Sequence, residues 1–145
     1  SNVTGNFGEF DGSFAVKDGK LSALKGTVKT ASIDTENEKR DNHLRSDDFF
    51  NADKYPEMKM TLLSVKGDEA VVELTIRDVT KKVTMDVDMG GEIVDPWGNK
   101  RAGLELTGKI DRTEYGLKWN KAIEAGGVVV GETVKIMVTL QGIEK

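Results

Sequence analysis

The sequence predicts an all-β fold of antiparallel strands, and three observations carry the prediction. Apolar and polar residues alternate with period two in several segments, which gives each strand one dry face and one wet face. Asp-Gly, Gly-Asp and Pro/Gly-containing turns separate those segments at short intervals. Sixteen glycines against two prolines in 145 residues suit many tight turns rather than disordered tails.

Seven strands follow in order, at about 4–16, 21–33, 57–66, 69–77, 81–93, 101–112 and 132–143. Asp18-Gly19 joins the first two as a primed hairpin turn, and Gly67-Asp68 joins the third and fourth. In VVELTIRDV, Val72, Leu74 and Ile76 share one face, while Val71, Glu73, Thr75 and Arg77 take the other. KKVTMDVDM sets Val83, Met85, Val87 and Met89 against Lys82, Thr84, Asp86 and Asp88. DPWGNK (95–100) turns the chain into the sixth strand, with Trp97 as a turn anchor. The last strand presents Val134, Ile136, Val138 and Leu140 on one side. Residues 34–56 and 114–127 break the rhythm and read as long loops, the first holding a short helix or turn.

A meander that closes on itself with antiparallel neighbours needs an even number of strands. With seven, the first and last run parallel. The sequence therefore expects an eighth strand, or an open sheet whose edge N–H and C=O groups invite pairing with another chain, as in a homodimer.

Composition excludes several classes of function. At 145 residues the chain is a single domain (1–145) large enough to bury a substantial core. The net charge of −4 arises from interleaved charges of both signs. No basic stripe serves a nucleic acid or an anionic membrane surface. Without cysteine there is no disulfide framework, thiol nucleophile or thiolate metal site. Apolar runs such as GVVVG (127–131) are too short for an integral membrane segment, and no signal sequence precedes Ser1.

The densest polar stretch is RDNHLRSDDFFNADKYPEM (40–58), which holds the only histidine. His43 with Asp41, Asp47 and Asp48 offers metal-ligating atoms, but the spacing matches no tetrahedral scheme. A calcium loop fails because Lys39 stands where glycine is required. Asp47 and Asp48 are adjacent and diverge, and no G-x-S-x-G elbow exists, so catalytic, metal and cofactor roles are not expected. The remaining reading is structural: Arg40, Asp41 and His43 hold a crossover loop, and Asp47 or Asp48 caps the turn that carries two aromatics. Phe49, Phe50 and Tyr55 then roof one end of the sheet.

DTENEKRDNHLRSDDFFNADKYP resembles a segment of the YceI-like family, matching its pattern at Thr35, Asn37, Arg40, Asp41, His43, Leu44, Ser46, Asp48, Phe49, Phe50, Tyr55 and Pro56. LTIRDVTKKVTMDV and DPWGNKRAGLELTGKIDRTEYGLKWN are similar to further family segments, so the resemblance covers nearly the whole chain. Asp78 and Lys82 depart from it, standing where the family has glycine and proline, which implies a different turn between the fourth and fifth strands.

The resemblance implies a lipocalin-like antiparallel barrel whose apolar cavity holds a polyisoprenoid or fatty-acyl amphiphile. It also implies a periplasmic or secreted setting ahead of a cytoplasmic one. Family members carry an additional N-terminal strand, so about seven strands are expected here, with that strand absent. Cavity lining or lid then falls to Phe14, Val28, Phe49, Phe50, Tyr55, Met60, Leu74, Met85, Leu106 and Trp119. Arg45 and Arg112 are candidate contacts for a phosphate head group, with exposed ion pairing as the alternative.

A barrel of this size either fills with side chains or holds one slender ligand. Methionines at 58, 60, 85 and 89 suit an adaptable wall, and each buried CH₂ contributes about 0.8 kcal/mol. Two alternatives stay open from other classes: a small enzyme or sensor acting on a lipid, marked by a strongly shifted carboxylate in the pocket, and an assembly module pairing through the open edge.

Overall fold

The computed structural model describes residues 4–118 and 131–143. Strands β1 (Asn6–Phe7) and β2 (Phe10–Lys17) lead into β3 (Lys20–Lys29), a 3-10 helix (Thr30–Ser32), β4 (Ile33–Asp34) and α1 (Glu38–Arg45). Then come β5 (Glu57–Lys66), β6 (Glu69–Ile76), β7 (Val79–Val94), β8 (Lys100–Asp111), a second 3-10 helix (Arg112–Tyr115) and β9 (Thr133–Ile143). β2-β3-β5-β6-β7-β8-β9 form one seven-stranded antiparallel sheet that curls into a nearly closed barrel, and β1 pairs with β4 in a separate ribbon.

The hairpins follow from turn chemistry. Asp18 and Gly19 both take positive φ, 54° and 76°, the pattern of a type I′ turn. Gly67 supplies a positive φ of 60° at the first turn position of the β5–β6 hairpin. Register shifts at Ala15/Val16, Leu62/Ser64 and Met89/Glu92 are bulges that bend the strands and help the sheet close.

Alternation decides what enters the barrel. Ala70, Val72, Leu74 and Ile76 of β6 are all buried, and their cross-strand partners Val83 and Met85 meet them on the same face. Leu104, Leu106 and Ile110 of β8 and Leu140 of β9 complete the same core.

With seven strands, β2 and β9 run in the same direction and share no ladder among the described residues. The Phe14 side chain bridges this seam. A Cβ at Gly142 would stand 3.0 Å from two Phe14 ring carbons, so only glycine lets the ring lie against β9.

Three local expectations are corrected. The first expected strand, 4–16, is interrupted at Gly8 and Glu9, because Gly8 N–H donates to Ser32 O at 3.2 Å and Lys29 N–H to Glu9 O at 2.9 Å. The second, 21–33, stops at Lys29, where the chain turns into its 3-10 helix. Trp97 does not anchor the β7–β8 turn: it is 80% exposed, and Asp95 performs that task. Asp95 Oδ1 accepts from Trp97 and Asn99 N–H at 2.9 Å each, and its Oδ2 from Arg101 Nε at 2.9 Å.

Candidate ligand-binding site

The tight hairpins 18–19, 67–68 and 95–99 gather at one end of the barrel, while the long connections 30–56 and 112–132 leave from the other. The second end therefore carries α1 and the second 3-10 helix. Its frame is polar and begins at α1. Asn37 caps that helix by accepting from Arg40 N–H at 3.0 Å. Asp41, buried, accepts from the Thr35 hydroxyl and from Thr35 N–H at 2.9 Å. The Thr35 hydroxyl bond, aided by Thr35 N–H and the nearby Arg45 and Arg40 charges, outweighs desolvation and holds the Asp41 carboxyl below its ordinary pKa.

Arg40 returns to Thr35, its Nε to Oγ1 at 2.8 Å and its Nη2 to the carbonyl at 2.9 Å. His43 Nε2 meets Asp48 Oδ2 at 2.9 Å at the surface, and the His43 ring stands edge-on to Phe49 at 5.2 Å. Among the described residues no group of three or more His, Asp or Glu side chains is placed to hold a metal ion.

That frame delivers the aromatics. Phe49 is buried in the barrel core, and Phe50 meets Phe7 of β1 edge to face at 5.9 Å. Tyr55 is half-buried beneath Arg77, whose guanidinium lies 5.5 Å from the ring centroid. Arg77 Nη1 also donates to Phe49 O at 3.2 Å and Gly116 O at 3.3 Å, joining the two long connections. This clamp sits in the β6–β7 turn, where Arg77 itself takes a left-handed φ of 57°. The altered turn expected around Asp78 is thus a two-residue turn with arginine in the strained position. Sequence reading had placed Arg77 on an outer strand face and gave it no role.

Phe14, Val28 and Met60 face inward yet are only half-buried, whereas Leu74, Met85 and Leu106, also inward, are fully buried. The half-buried part of the inner wall thus lies on β2, β3, β5, β7 and β9, with Val87, Met89, Ile136 and Val138 in the same state. Phe10 and Val134 share the inward face and keep 46% and 39% exposure. The Phe10 ring lies on Gly26, where a Cβ would come within 2.8 Å of it, so the ring hugs the wall instead of crossing the lumen. Phe10 was absent from the expected lining. Its alternation with Gly12 and Phe14 was the available signal.

Two grooves made by described residues have volumes of about 410 and 350 Å³. The first is rimmed by Glu9, Asp11 and Glu57, the second by Lys81, Lys82 and Lys109 with Asp111 and Glu114. Both are rimmed mainly by polar residues.

The expected head-group arginines are occupied in structural work. Arg45 Nε donates to Ala31 O at 2.9 Å and its Nη2 to Ile33 O at 3.2 Å. Arg112, buried, donates from Nε to Gly131 O at 2.8 Å and from Nη1 to Leu117 O. Trp119 lies outside the described residues.

The second 3-10 helix closes the same end. Asp111 caps it by accepting from Thr113 Oγ1 and N–H, bonds that keep its own pKa low. Gly116 ends it at φ 84°, and Tyr115 is buried in the core.

An antiparallel barrel with an apolar inner wall, an incomplete seam and one lidded end defines a lipocalin-like barrel protein. The chain belongs to the YceI-like domain family, whose profile matches residues 1–142. It is 39% identical over 138 residues to a UPF0312 protein of Staphylococcus aureus (strain USA300), spanning 93% of this chain and 81% of that one. The crystal structure of a Campylobacter jejuni YceI protein superposes with a TM-score of 0.89 at 30% identity, covering 100% of this chain and 86% of that chain. Burkholderia cenocepacia BcnA shares the fold with a TM-score of 0.78 at 18% identity, over 95% of this chain and 86% of its own. No helix among the described residues is long and apolar enough to cross a membrane.

Proposed function

We propose that the barrel binds, carries or stores one elongated amphiphile, an isoprenoid or a fatty-acyl chain, along its inner wall, without chemical turnover. The observation that carries this reading is the split in the inward side chains. Those on β6 and β8 are largely buried, while Phe14 of β2, Val28 of β3, Met60 of β5, Val87 and Met89 of β7 and Ile136 and Val138 of β9 are only partly buried and keep accessible apolar surface. Apolar surface that points into a barrel and stays accessible is surface a chain-like ligand gains by covering. Each methylene so covered contributes about 0.8 kcal/mol, so a few isoprene units offset the cost of association. A periplasmic or secreted setting accompanies this proposal, resting on the family resemblance alone.

Binding is favoured over catalysis because the shifted carboxylates among the described residues, Asp41, Asp95 and Asp111, are all shifted downward by hydrogen bonds that cap or staple turns. A lipid-acting enzyme or sensor calls for a carboxyl raised inside the lumen. Identification of lipids released from the purified protein tests the proposal directly.

A second reading has its own observation. β2 and β9 each present one edge without a ladder partner among the described residues, and Met137 and Ile143 of β9 are exposed. A strand from a second copy can pair there. Concentration-dependent size on gel filtration supports that reading, and a constant monomer contradicts it.

A further inference from the structure

The most exposed large apolar side chains among the described residues sit together at the end of the β7–β8 hairpin: Ile93 at 65%, Val94 at 67% and Trp97 at 80%. Single exposed apolar residues are ordinary on a protein surface, whereas a cluster at one tip marks a place of contact. The strand that carries them is clear of a neighbour on one side. β6 pairs with β7 only as far as Asp86, and Asp68 O takes the Val87 N–H at 2.7 Å, so beyond that point β7 pairs with β8 alone. Ile93 and Val94 are consecutive in the strand and therefore point to opposite faces of the hairpin. Apolar surface thus wraps the tip instead of lying on one side of it.

The turn between the strands keeps its backbone donors to itself. Asp95 N–H donates to Asn99 O at 2.8 Å and Gly98 N–H to Asp95 O at 3.0 Å. Trp97 and Asn99 N–H both donate to Asp95 Oδ1 at 2.9 Å, and Pro96 has no N–H. From 95 to 99, then, no backbone N–H depends on water. The Asp95 carboxylate is itself buried and matched by Arg101 Nε at 2.9 Å. Such a turn leaves water at small cost. Glu92 and Lys100, the other charged residues of the tip, are exposed and of opposite sign, so the tip has no net charge.

We propose that the β7–β8 tip docks the protein on a lipid bilayer, seating Trp97, Val94 and Ile93 at the boundary between head groups and acyl chains, and that zwitterionic lipid suffices. A fluid bilayer covers both faces of a hairpin at once, and the indole of Trp97 suits that boundary. A protein partner would have to enclose the tip. An aromatic side chain offers at most about 250 Å² and aliphatic ones less, so three fall below the roughly 800 Å² that each partner buries in a stable protein interface. A neutral tip on a chain of net charge −4 gains nothing from anionic lipid. Docking goes beyond the carrier reading and stands whether or not the inner wall holds an amphiphile.

The test mixes the full chain with phosphatidylcholine vesicles and reads the bound fraction by flotation. Trp97→Ser and the double variant Ile93→Ser/Val94→Ser are compared with Leu63→Ser, which removes a 44% exposed side chain from β5, separated from β7 by β6. The original chain is expected to float with the vesicles. Trp97→Ser should weaken partitioning about tenfold, the double variant should do likewise, and Leu63→Ser should leave it unchanged. Replacing part of the phosphatidylcholine with phosphatidylglycerol should not strengthen binding, and added salt should not weaken it. Tryptophan fluorescence of the original chain should shift to the blue on vesicle addition, and Trp97→Phe, which leaves Trp119 as the remaining tryptophan, should remove the shift. Thermal midpoints should match the original chain, because the Trp97 N–H bond to Asp95 does not involve the side chain.

A chain that does not float overturns the proposal, and so does a Trp97→Ser variant that floats like the original. An equal loss in Leu63→Ser overturns it as general adhesion, and binding that needs anionic lipid and vanishes in high salt overturns it as electrostatic adsorption. A concentration-dependent dimer that Trp97→Ser dissolves, with no flotation, overturns it by making the tip a protein contact. If Trp97→Ser lowers the midpoint, the blue shift and its removal in Trp97→Phe decide instead. A protein that floats yet releases no bound amphiphile supports docking while the carrier reading fails, so the two outcomes are separable.

Discussion

The guanidinium of Arg77 lies over the ring of Tyr55, 5.5 Å from its centroid, and from there reaches the carbonyls of Phe49 and Gly116. One side chain in a two-residue turn thereby holds the aromatic lid and the second long connection against the same end of the barrel. The arrangement keeps a non-glycine residue at φ 57° in that turn, a conformation costing about 1 kcal/mol.

Two opposing effects meet at Arg77, and a pair of substitutions separates them. Arg77→Ala loses the carbonyl bonds and the ring contact but keeps the unfavourable backbone, and is expected to destabilise by about 2 kcal/mol. Arg77→Gly loses the same contacts and relieves the backbone, so it should come out about 1 kcal/mol more stable than Arg77→Ala. Urea denaturation measures both, and equal stabilities would show that the turn stores no strain.

Phe14 and Gly142 form the contact that narrows the seam. Gly142→Ala places its Cβ 3.0 Å from the Phe14 ring and forces the ring to move, while Phe14→Ala removes a half-buried ring. Each single change should cost about 1–2 kcal/mol. The double variant should cost less than their sum, because alanine at 142 meets no ring at 14. Additive costs would place the ring elsewhere in solution.

Asp41 gives a pH signature with a defined sign. Its folded pKa lies below the ordinary carboxylate value of about 3.9, so its contribution is complete above that pH and is lost as pH falls through the folded value. Asp95 and Asp111 act in the same direction. Burial pushes Asp95 up, but hydrogen bonds from Asn99, Arg101 and Trp97 outweigh it, and the Thr113 hydroxyl holds Asp111 down. Thermal melts from pH 7 to 2 should show stability falling below about pH 4. The gap between the original chain and Asp41→Asn should shrink over that range, and a gap that widens in acid would contradict the assignment.

Most of the barrel was legible in the sequence because period-two alternation is local. Val72, Leu74 and Ile76 announce their shared face within five residues, and Asp18-Gly19 announces its turn within two. The parity of seven strands likewise follows from counting, and the structure keeps β2 and β9 parallel. The long connection that carries Phe49, Phe50 and Tyr55 was legible as a break in the strand rhythm, but the Arg77 contacts that hold it were not. Arg77 bonds to residues 28 and 39 positions away, and no local pattern reports such a distance. The backbone partners of Arg45 and Arg112, named as candidate head-group contacts with exposed ion pairing as the alternative, were illegible for a related reason. A guanidinium suits a backbone carbonyl as readily as a phosphate, and only the fold decides which lies in reach.

Orientation at the seam carries a consequence for assembly. A strand inserted between β2 and β9 must run antiparallel to both, which returns the strand count to eight and closes the barrel. A synthetic strand peptide that binds there should protect the β2 and β9 edge amides from hydrogen exchange and leave β6 unchanged. Equal protection across all strands would indicate general stabilisation instead.

The central claim is that the accessible inner wall holds a chain-like amphiphile. Native mass spectrometry of the protein as purified, followed by denaturation and lipid identification, tests it most directly. The account predicts a one-to-one complex that releases a single long-chain amphiphile. A protein that is empty as isolated and takes up no added isoprenoid or fatty-acyl chain would contradict the account, because the inner wall would then be closed core.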